Sequence, residues 1–510
     1  MCGIAGIWGR AEEGVVRTMM ERMVHRGPDA DGTFVAPSSR GVLGHRRLAI
    51  IDPVGGRQPI LSESETSALV ANGEIYNYLA INRELSDNHG FRTQSDSETI
   101  LRLFHEARES SVNRLDGMFA FVIADGDHVF AARDPIGIKP LYVGKRDGQW
   151  CFASEQKALA GIAENVSEFP PGTSFHSASG YRRFYEVPEC DPKHQLMNRY
   201  QAAKEMRATL EAAVGKRLMS DVPLGAFLSG GLDSSIICAM ARRHMDRLHT
   251  FSVGFKGSRD LAAARQVARH LDTIHHEHIL DEKEVFRLLP KIIYHLESYD
   301  QDLVRSAIPT YFTARLAAEY VKVILTGEGA DELFAGYRYH RDLREAAALQ
   351  QELRRSIGSL HDINLQRVDR LTMAHSIEAR VPFLDMDMIA LAQRIPPEWK
   401  LRRMRDDRLV EKWILRKACE DLLPHEIVWR DKEQFDEGSG TAELIGQRGL
   451  EDWLAASESA AYREHHRGAS LRSHEECAYH KILSKEYPDA AFVIENVARW
   501  SSGRVGNATE

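Results

Sequence analysis

The stretch Ser229–Ser235, with the sequence SGGLDSS, combines residue types that bind phosphate. Apolar runs on both sides of it predict a strand, a tight glycine-rich turn and a helix. Backbone amides and the helix dipole favour an anion at such a turn, and the serine hydroxyls add donors. Asp233 would repel phosphate oxygens unless a metal ion bridged them. The stretch therefore predicts a phosphate site with a divalent metal ion; a plain strand-to-helix turn is the alternative.

A second candidate for chemistry is Cys2, which directly follows the initiator Met. Small second residues permit removal of the Met, which would leave a thiol and a free α-amine on one residue. The α-amine, with a pKa near 8, can accept the thiol proton near neutral pH. The position predicts an N-terminal nucleophile; a small buried residue at the start of a strand is the alternative.

A third candidate is the acidic cluster Glu328, Asp331 and Glu332, which follows the branched apolar run Val321–Leu325. That run predicts a buried parallel strand. Ligands bind at the carboxyl ends of parallel strands, so this cluster and SGGLDSS would share one edge of a sheet. The pattern predicts a magnesium and acid/base cluster; a solvated helix cap is the alternative.

The composition bounds the class of protein. The chain has 510 residues, of which 43% are hydrophobic and 27% charged, with a net charge of -8. This length predicts about two to four domains, and the acidic balance argues against a general nucleic-acid or acidic-membrane binder. No apolar run approaches the roughly 18 residues of a membrane span, and no signal peptide is evident. The scattered cysteines, without C-x-x-C spacing, indicate reduced thiols in a cytoplasmic protein.

Local patterns predict the elements that position these residues. The string Ser95–Glu98 caps a helix predicted to run through Thr99–Leu101. Gly44–Asp52 and Leu115–Ile123 predict strands, and Arg133–Gly137 predicts a turn. A proline-containing stretch without hydrophobic period, 187–195, predicts a linker between domains.

Five strings resemble, in family order, the glutaminase domain of N-terminal-nucleophile amidotransferases, and most closely that of glutamine-dependent asparagine synthetases. They are MCGIAG, HRGPD, NGEIYN, SDSE and RDPIGIKPLY. The resemblance implies an αββα sandwich of the N-terminal-nucleophile hydrolase type over residues 2–190. It implies that Cys2 attacks the glutamine carboxamide to form a thioester, with Asn72 and the Gly73 amide as the oxyanion hole.

The same resemblance implies a set of glutamine-binding residues: Arg47, Ile50, Asn72, Glu74 and Asp96. Arg47 would hold the α-carboxylate, and Glu74 and Asp96 the α-ammonium. Taken singly, Asp96 could instead cap a helix and Arg47 could form a surface ion pair.

The rest of the chain, after an amphipathic helix predicted over 200–218, also resembles this family. SGGLDSS resembles the pyrophosphate loop of ATP pyrophosphatases, and TGEGADELFAGY, SIEARVPFLD and WRDKEQF resemble asparagine synthetase signatures. They imply a Rossmann-like parallel α/β ATP-pyrophosphatase domain over 200–500. ATP would be bound by Phe227, Ser229, Gly230, Gly231, Asp233, Ser234, Ser235, Val253, Thr326, Gly327 and Tyr337.

The resemblance also implies the chemistry of this second site. Asp233 and Asp331 would ligate Mg²⁺, Lys432 would neutralise phosphate charge, and Glu328 would accept a proton from ammonia. A carboxylic acid would be activated as acyl-AMP, and ammonia from Cys2 would reach it through a buried apolar passage.

The acceptor site departs from the family pattern. Two threonines that usually precede an arginine are replaced here by Asp302 and Leu303, while Arg305 remains. Asp302 adds a negative charge where aspartate would bring two, and Leu303 removes a donor. Two acceptors therefore stay open: L-aspartate, or a different carboxylic acid in specialised metabolism, including hydroxamate formation from a glutamine surrogate.

A third hypothesis is a catalytically silent homologue. The presence of the complete predicted set argues against it: Cys2, Asn72, Asp96, Asp233, Glu328 and Lys432. The resemblance further implies a homodimer with small-molecule partners, and neither a nucleic-acid nor a membrane partner is expected.

Overall fold

The computed structural model describes residues 2–10, 12–37, 40–85, 90–190, 195–196, 198–432, 435–447 and 450–500. Part of the predicted linker, residues 191–194, and the polar segment 501–510 lie outside the described residues.

The N-terminal part is built from antiparallel strands. In chain order the strands are β1 (Cys2–Trp8), β2 (Ala30–Val35), β3 (Gly41–Arg47), β4 (Ile60–Leu61), β5 (Ser67–Ile75), β6 (Gly117–Asp125), β7 (His128–Arg133), β8 (Tyr142–Arg146), β9 (Gln149–Ala153), β10 (Glu164–Glu168), β11 (Thr173–His176) and β12 (Gly180–Arg183). They form two six-stranded sheets, with the orders β10-β8-β9-β1-β3-β2 and β12-β11-β7-β6-β5-β4.

Helices accompany these two sheets. They are α1 (Glu13–Glu21), α2 (Tyr78–Leu85) and α3 (Asp96–Ala107). One apolar cluster, which includes Ile4 and Val122, lies between the two sheets. A second cluster packs α1 onto the first sheet through Met19, and a third packs α3 onto the second sheet through Phe104. These layers confirm the predicted αββα sandwich.

One predicted strand is shorter than expected. The strand expected over Gly44–Asp52 ends at Arg47. The Arg47 guanidinium donates to the carbonyl oxygens of Ile51, Asp52 and Pro53, at 3.2, 2.7 and 2.9 Å. Successive carbonyls of a strand point in opposite directions, so three consecutive carbonyls that face one guanidinium, with Asp52 at a φ of 48°, place residues 48–53 in a loop.

The C-terminal part is built around a parallel sheet. Its strands are β13 (Leu224–Phe227), β14 (His249–Gly254), β15 (Ile274–Ile279), β16 (Val323–Leu325) and β17 (Glu378–Arg380), in the order β15-β14-β13-β16-β17. A short antiparallel pair consists of β18 (Arg402–Arg403) and β19 (Leu409–Val410). The parallel sheet confirms the predicted Rossmann-like class.

The C-terminal part also contains α-helices. They are α4 (Arg199–Lys216), α5 (Leu232–Arg242), α6 (Arg259–Leu271), α7 (Glu282–Leu296), α8 (Gln301–Ala317), α9 (Ala330–Phe334), α10 (Ala346–Gly358), α11 (Asn364–Met373), α12 (Met386–Arg394), α13 (Pro397–Lys400), α14 (Trp413–Ala418), α15 (His425–Val428), α16 (Phe435–Ser439), α17 (Thr441–Gln447), α18 (Ser459–His465), α19 (His474–Glu486) and α20 (Ala491–Glu495). None of the helices in the described residues is long and apolar enough to cross a membrane.

Candidate active sites

Cys2 lies at the start of β1, a fully buried strand between β3 and β9. Its backbone N–H donates to Asn72 Oδ1 at 2.8 Å, and its thiol lies 3.9 Å from the Leu48 carbonyl oxygen. Burial raises the pKa of the Cys2 thiol, although the nearby amino terminus opposes this shift. The resting thiol is therefore neutral and needs a local base before it can attack.

Asn72 and Gly73 lie on β5, beside Cys2. Asn72 is fully buried, and its Nδ2 amide has no hydrogen-bond partner among the described residues. Buried amides are seldom left unpaired, so this donor is available for a ligand oxygen. Gly73 has a φ of 148°, and a Cβ there would lie 1.9 Å from the Met118 carbonyl oxygen. This geometry suits the predicted oxyanion hole and explains why glycine is needed.

Glu74 and Asp96 are buried carboxylates near the same site. Burial, followed by the charges of Glu378 and Asp96, raises the pKa of Glu74 well above its usual range. Burial also raises the pKa of Asp96 to about 6, although the Ile75 N–H donates to it at 2.7 Å. The Oε2 atom of Glu74 has no hydrogen-bond partner in the described part of the chain. Such carboxylates favour an incoming cation, as the ammonium group of an amino acid would be.

Helix α3, which carries Asp96, begins within the predicted capping string Ser95–Glu98. The Ser95 hydroxyl accepts from the Ser97 N–H at 3.3 Å. Asp96 is therefore the first helical residue and not the cap, and its carboxylate accepts from the Ile75 N–H of β5.

Arg47 and Ile50 lie at the loop beside this site. Arg47 is 5% exposed and Ile50 2% exposed. Because Arg47 holds the loop carbonyls, it does not form the surface ion pair considered as an alternative. Binding the α-carboxylate of glutamine would require Arg47 to exchange some of these carbonyl contacts.

Two residues of the C-terminal part complete the surroundings of Glu74. Arg380 Nη2 lies 3.4 Å from Glu74 Oε1, and Arg380 Nε donates to Glu378 at 2.6 Å. Both belong to β17 and are fully buried. Sequence reasoning missed them because the motif SIEARVPFLD lies far along the chain, and no local signal pairs it with Glu74.

A cleft of about 370 Å³ opens at the carboxyl ends of β13, β14 and β16. Most of the residues predicted to bind ATP line it: Phe227, Ser229, Gly231, Asp233, Ser234, Val253, Thr326, Gly327 and Tyr337. Gly230 and Ser235 do not line it but shape the turn. Gly230 has a φ of 75°, and a Cβ there would lie 2.4 Å from the Ala264 nitrogen. The buried Ser235 hydroxyl donates to the Gly231 carbonyl at 2.7 Å.

Two lysines and two aspartates form the charged end of the cleft. Lys412 Nζ lies 2.5 Å from Asp233 Oδ2 and 2.6 Å from Asp331 Oδ1. Lys432 Nζ lies 2.9 Å from Asp331 Oδ2. Burial alone would raise the pKa of Asp331, but the two lysines hold it well below its usual range. Lys412 was not among the predicted residues, because the surrounding sequence carries no phosphate-binding pattern.

Carboxylate oxygens here fit a magnesium ion. Asp233 Oδ1 is buried and accepts no hydrogen bond among the described residues. Mg²⁺ prefers such oxygens, together with the oxygens of a bound phosphate. Asp233 and Asp331 thus offer oxygen ligands at the charged end of the cleft.

Glu328 also lines the cleft. Its carboxylate accepts a short hydrogen bond from Arg367 Nη2 of α11. Arg367 is 7% exposed, and its Nε has no partner among the described residues.

The predicted acceptor residues separate in the structure. Asp302 and Leu303 line the cleft at the start of α8, whereas Arg305 is not among the lining residues. Arg305 Nη2 lies 2.6 Å from Glu475 Oε2, so its guanidinium is already paired. Asp302 Oδ2 lies 3.4 Å from Arg472 Nη1, which offsets part of its charge.

Comparisons with known proteins agree with this geometry. The family model described as asparagine synthase matches residues 205–347 and 341–500, and the one described as a glutamine amidotransferase domain matches residues 1–177. Glutamine-hydrolysing asparagine synthetase 3 of Arabidopsis thaliana is 42% identical over 476 residues, covering 88% of this chain and 80% of the relative. A second Arabidopsis thaliana enzyme, glutamine-hydrolysing asparagine synthetase 2, is 39% identical and covers 96% of this chain and 88% of its own.

A probable glutamine-hydrolysing asparagine synthetase of Dictyostelium discoideum is 37% identical over 539 residues, covering 98% of this chain and 96% of the relative. The similarity thus extends over both candidate sites. The chain belongs to the family of glutamine-hydrolysing asparagine synthetases.

Proposed function

We propose that this chain is a glutamine-dependent amide ligase that converts L-aspartate to L-asparagine, with release of AMP and pyrophosphate. The observation that carries the proposal is the presence of both half-sites in one chain. An unpaired amide beside Cys2 suits an oxyanion, and paired acids and lysines beside SGGLDSS suit a nucleotide.

In the first half-reaction the Cys2 thiolate attacks the glutamine carboxamide carbon. Asn72 Nδ2 and the Gly73 N–H stabilise the oxyanion, and one such donor is worth about 3 kcal/mol. Glu74 and Asp96 bind the α-ammonium. Removal of Met1 would supply the α-amine base that the neutral thiol needs. Ammonia leaves, and water hydrolyses the thioester to glutamate.

In the second half-reaction the acceptor carboxylate attacks the α-phosphorus of ATP, and pyrophosphate leaves. Lys412 and Lys432 neutralise the phosphate charge, and Mg²⁺, held by Asp233 and Asp331, would neutralise more of it. Ammonia then attacks the acyl carbon, Glu328 accepts its proton, and AMP leaves. Ammonium is not a nucleophile, so ammonia must reach the second site without being protonated. We therefore include in the proposal a protected passage for ammonia between the two sites.

L-aspartate is the acceptor in our proposal because Arg472 offsets part of the negative charge of Asp302. Its guanidinium lies 2.7 Å from Glu476, 2.8 Å from Asp300 and 3.4 Å from Asp302. The loss of a hydroxyl donor at Leu303 favours a different carboxylic acid, which we retain as the second candidate. A homodimer and a cytoplasmic location stay predictions from the sequence.

The test is acid-dependent pyrophosphate release from ATP in the presence of Mg²⁺ and glutamine. Release with L-aspartate, with asparagine among the products, would support the proposal. Release with another acid only would select the second candidate. Silence with every acid would contradict a ligase.

The variant Cys2→Ser separates the two half-sites. We expect it to lose glutamine-dependent amide formation while ammonium chloride still supports synthesis, because the cleft is untouched. The amount of asparagine formed with each nitrogen source is measured by chromatography. Cys151→Ser is the control for substitution of a buried cysteine. Failure of ammonium to rescue Cys2→Ser would contradict the assignment of separate sites.

A further inference from the structure

Trp500 lines the end of the cleft at which α8 begins. Asp302 and Leu303, the two residues that depart from the family pattern, line the same end. The Trp500 backbone N–H donates to Asp300 Oδ2 at 3.4 Å, and Oδ1 of that carboxylate accepts from the N–H groups of Asp302 and Leu303. One carboxylate thus places Trp500 beside the residues predicted to bind the acceptor acid.

The indole ring of Trp500 packs against a wall of this cleft. It meets the Tyr337 ring edge to face, with 5.0 Å between the ring centroids and 84° between the ring planes. Asn364 of α11 donates to the Tyr337 hydroxyl at 3.0 Å. Arg367, which binds Glu328, lies three positions after Asn364 and therefore on the same side of that helix. Trp500 thus contacts the wall that also carries the proposed proton acceptor.

The segment that carries Trp500 is anchored by Arg499. Arg499 Nη1 lies 2.6 Å from Glu476 Oε1, and its Nη2 donates to the Ala469 carbonyl oxygen at 2.5 Å. Its guanidinium also lies over the Tyr299 ring, 4.5 Å from the centroid. Glu476 is fully buried. A charge pair and a cation–π contact with so little solvent hold the side chain in place, and with it the start of Trp500.

This end of the cleft faces solvent. The side chain of Asp302 is 39% exposed, and that of Arg472, which pairs with it, is 32% exposed. Trp500 is itself only partly buried, so its ring lies between the cleft and bulk water. A large apolar ring at such a boundary keeps water from the groups that it covers.

The proposed second half-reaction depends on the exclusion of water. When ammonia attacks the acyl carbon of acyl-AMP, the bond from that carbon to the phosphate oxygen breaks, and the products are the amide, AMP and a proton. Water attacks the same carbon and breaks the same bond, but it returns the free acid with AMP and a proton. That side reaction consumes ATP without making an amide, and a closed site is the usual means of preventing it.

We propose that Trp500 is a specificity-determining residue that selects ammonia over water as the nucleophile for acyl-AMP. Its indole shields the acyl carbon from the solvent-facing end of the cleft, and Arg499 holds the segment in position. This inference rests on the proposed function, because it requires the acyl-AMP intermediate.

The test counts the pyrophosphate and the asparagine that the full chain forms from ATP, Mg²⁺, L-aspartate and saturating ammonium chloride. Supplying ammonium directly removes any influence of glutamine hydrolysis. In the wild type we expect one pyrophosphate for each asparagine. In Trp500→Ala we expect this ratio to rise severalfold, and in water labelled with heavy oxygen the recovered aspartate should carry a solvent oxygen. Trp500→Phe, which keeps an aromatic ring, should return the ratio close to the wild-type value.

A purely structural role of Trp500 would give a different result. Both products would then fall together in Trp500→Ala and their ratio would stay at the wild-type value, which would overturn the proposal. Absence of pyrophosphate release with every acid in the wild type would instead refute the proposed function.

The matched control is Trp453→Ala, the same substitution at another partly buried tryptophan. Trp453 packs against Phe286 at 6.3 Å between ring centroids and is not among the residues that line the cleft. We expect this variant to keep the wild-type ratio. An equal rise in both variants would indicate general loosening of the C-terminal part and would overturn the role of Trp500.

A second variant keeps the indole and removes its anchor. Arg499→Met loses the contact with the buried Glu476, so we expect the ratio of pyrophosphate to asparagine to rise in this variant as well. The measurement therefore tests the proposal even if Trp500→Ala does not fold. A wild-type ratio in Arg499→Met would overturn the proposal that the anchored segment shields the intermediate.

Discussion

Replacement of Asp96 by Asn tests the subsite that we assign to the α-ammonium of glutamine. The Asp96 carboxyl has a pKa of about 6, against an ordinary value of 3.8, chiefly because it is buried. At 1.36 kcal/mol per pKa unit, ionised Asp96 costs the folded state about 3 kcal/mol at pH 8. An asparagine carries no charge and can still accept the Ile75 N–H. We therefore expect Asp96→Asn to be more stable than the wild type at pH 8.

The direction in which this stability difference changes with pH follows from proton linkage. A carboxyl whose pKa is raised in the folded state binds its proton more tightly there than in the unfolded chain. The stability it contributes is complete below pH 3.8 and is lost as the pH rises through about 6. The advantage of Asp96→Asn should therefore be large at pH 8 and small near pH 4.

The same change should impair glutamine use. A hydrogen bond to a charged group is worth about 1.5–3 kcal/mol, or roughly a 10- to 150-fold rise in the KM for glutamine. In the wild type, KM should rise as the pH falls below the pKa of Asp96, because the protonated carboxyl loses its charge. Asparagine synthesis from ammonium should be unchanged.

The assay is thermal unfolding at pH 8 and pH 4, together with glutamate release across the pH range. Asp127→Asn is the control, because Asp127 has 58% of its side chain exposed. A midpoint for Asp96→Asn below that of the wild type at pH 8, with an unchanged KM for glutamine, would refute both the burial argument and the assigned role.

Two further variants test single donors and charges. Asn72→Ala should lower the kcat of glutaminase by about 10²- to 10³-fold, because an oxyanion donor is lost, and should leave ammonium-dependent synthesis intact. Glutamate release measures this change. A normal rate of release would show that Asn72 is not part of the site. Lys412→Met should lower the free energy of unfolding by about 3–5 kcal/mol, because Asp233 and Asp331 lose the charge between them. Added Mg²⁺ should restore part of that stability, and a midpoint insensitive to Mg²⁺ would count against the metal assignment.

The sequence predicts those features whose signals are local. SGGLDSS places its glycines and serines between two apolar runs, and the structure has β13 before it and α5 from Leu232. The acidic cluster follows β16 for the same reason, since a branched run of that length favours a buried parallel strand. Because parallel strands have their carboxyl ends at the same edge of a sheet, the sequence also predicts that Asp233 and Asp331 lie near each other.

The sequence does not predict contacts that depend on tertiary packing. Lys412 reaches Asp233 and Asp331 from the segment before α14, where no pattern marks it as a phosphate ligand. Arg305 lies three positions after Asp302 on α8, yet its pairing with Glu475 on α19 takes it away from the cleft lining. Spacing along one helix cannot reveal such a partner, because α19 begins at residue 474.

The proposed glutaminase site is also not confined to the N-terminal part. Arg380 of β17 lies beside Glu74, and Asp369 of α11 holds the arginine that binds the Cys2 carbonyl. Both C-terminal residues are buried, so their charges are balanced only while the two parts stay together. The charge balance around the proposed glutamine subsite therefore depends on β17 and on α11, the helix that also borders the cleft. This dependence is a physical reason why both half-reactions of the proposed ligase are carried out by one chain.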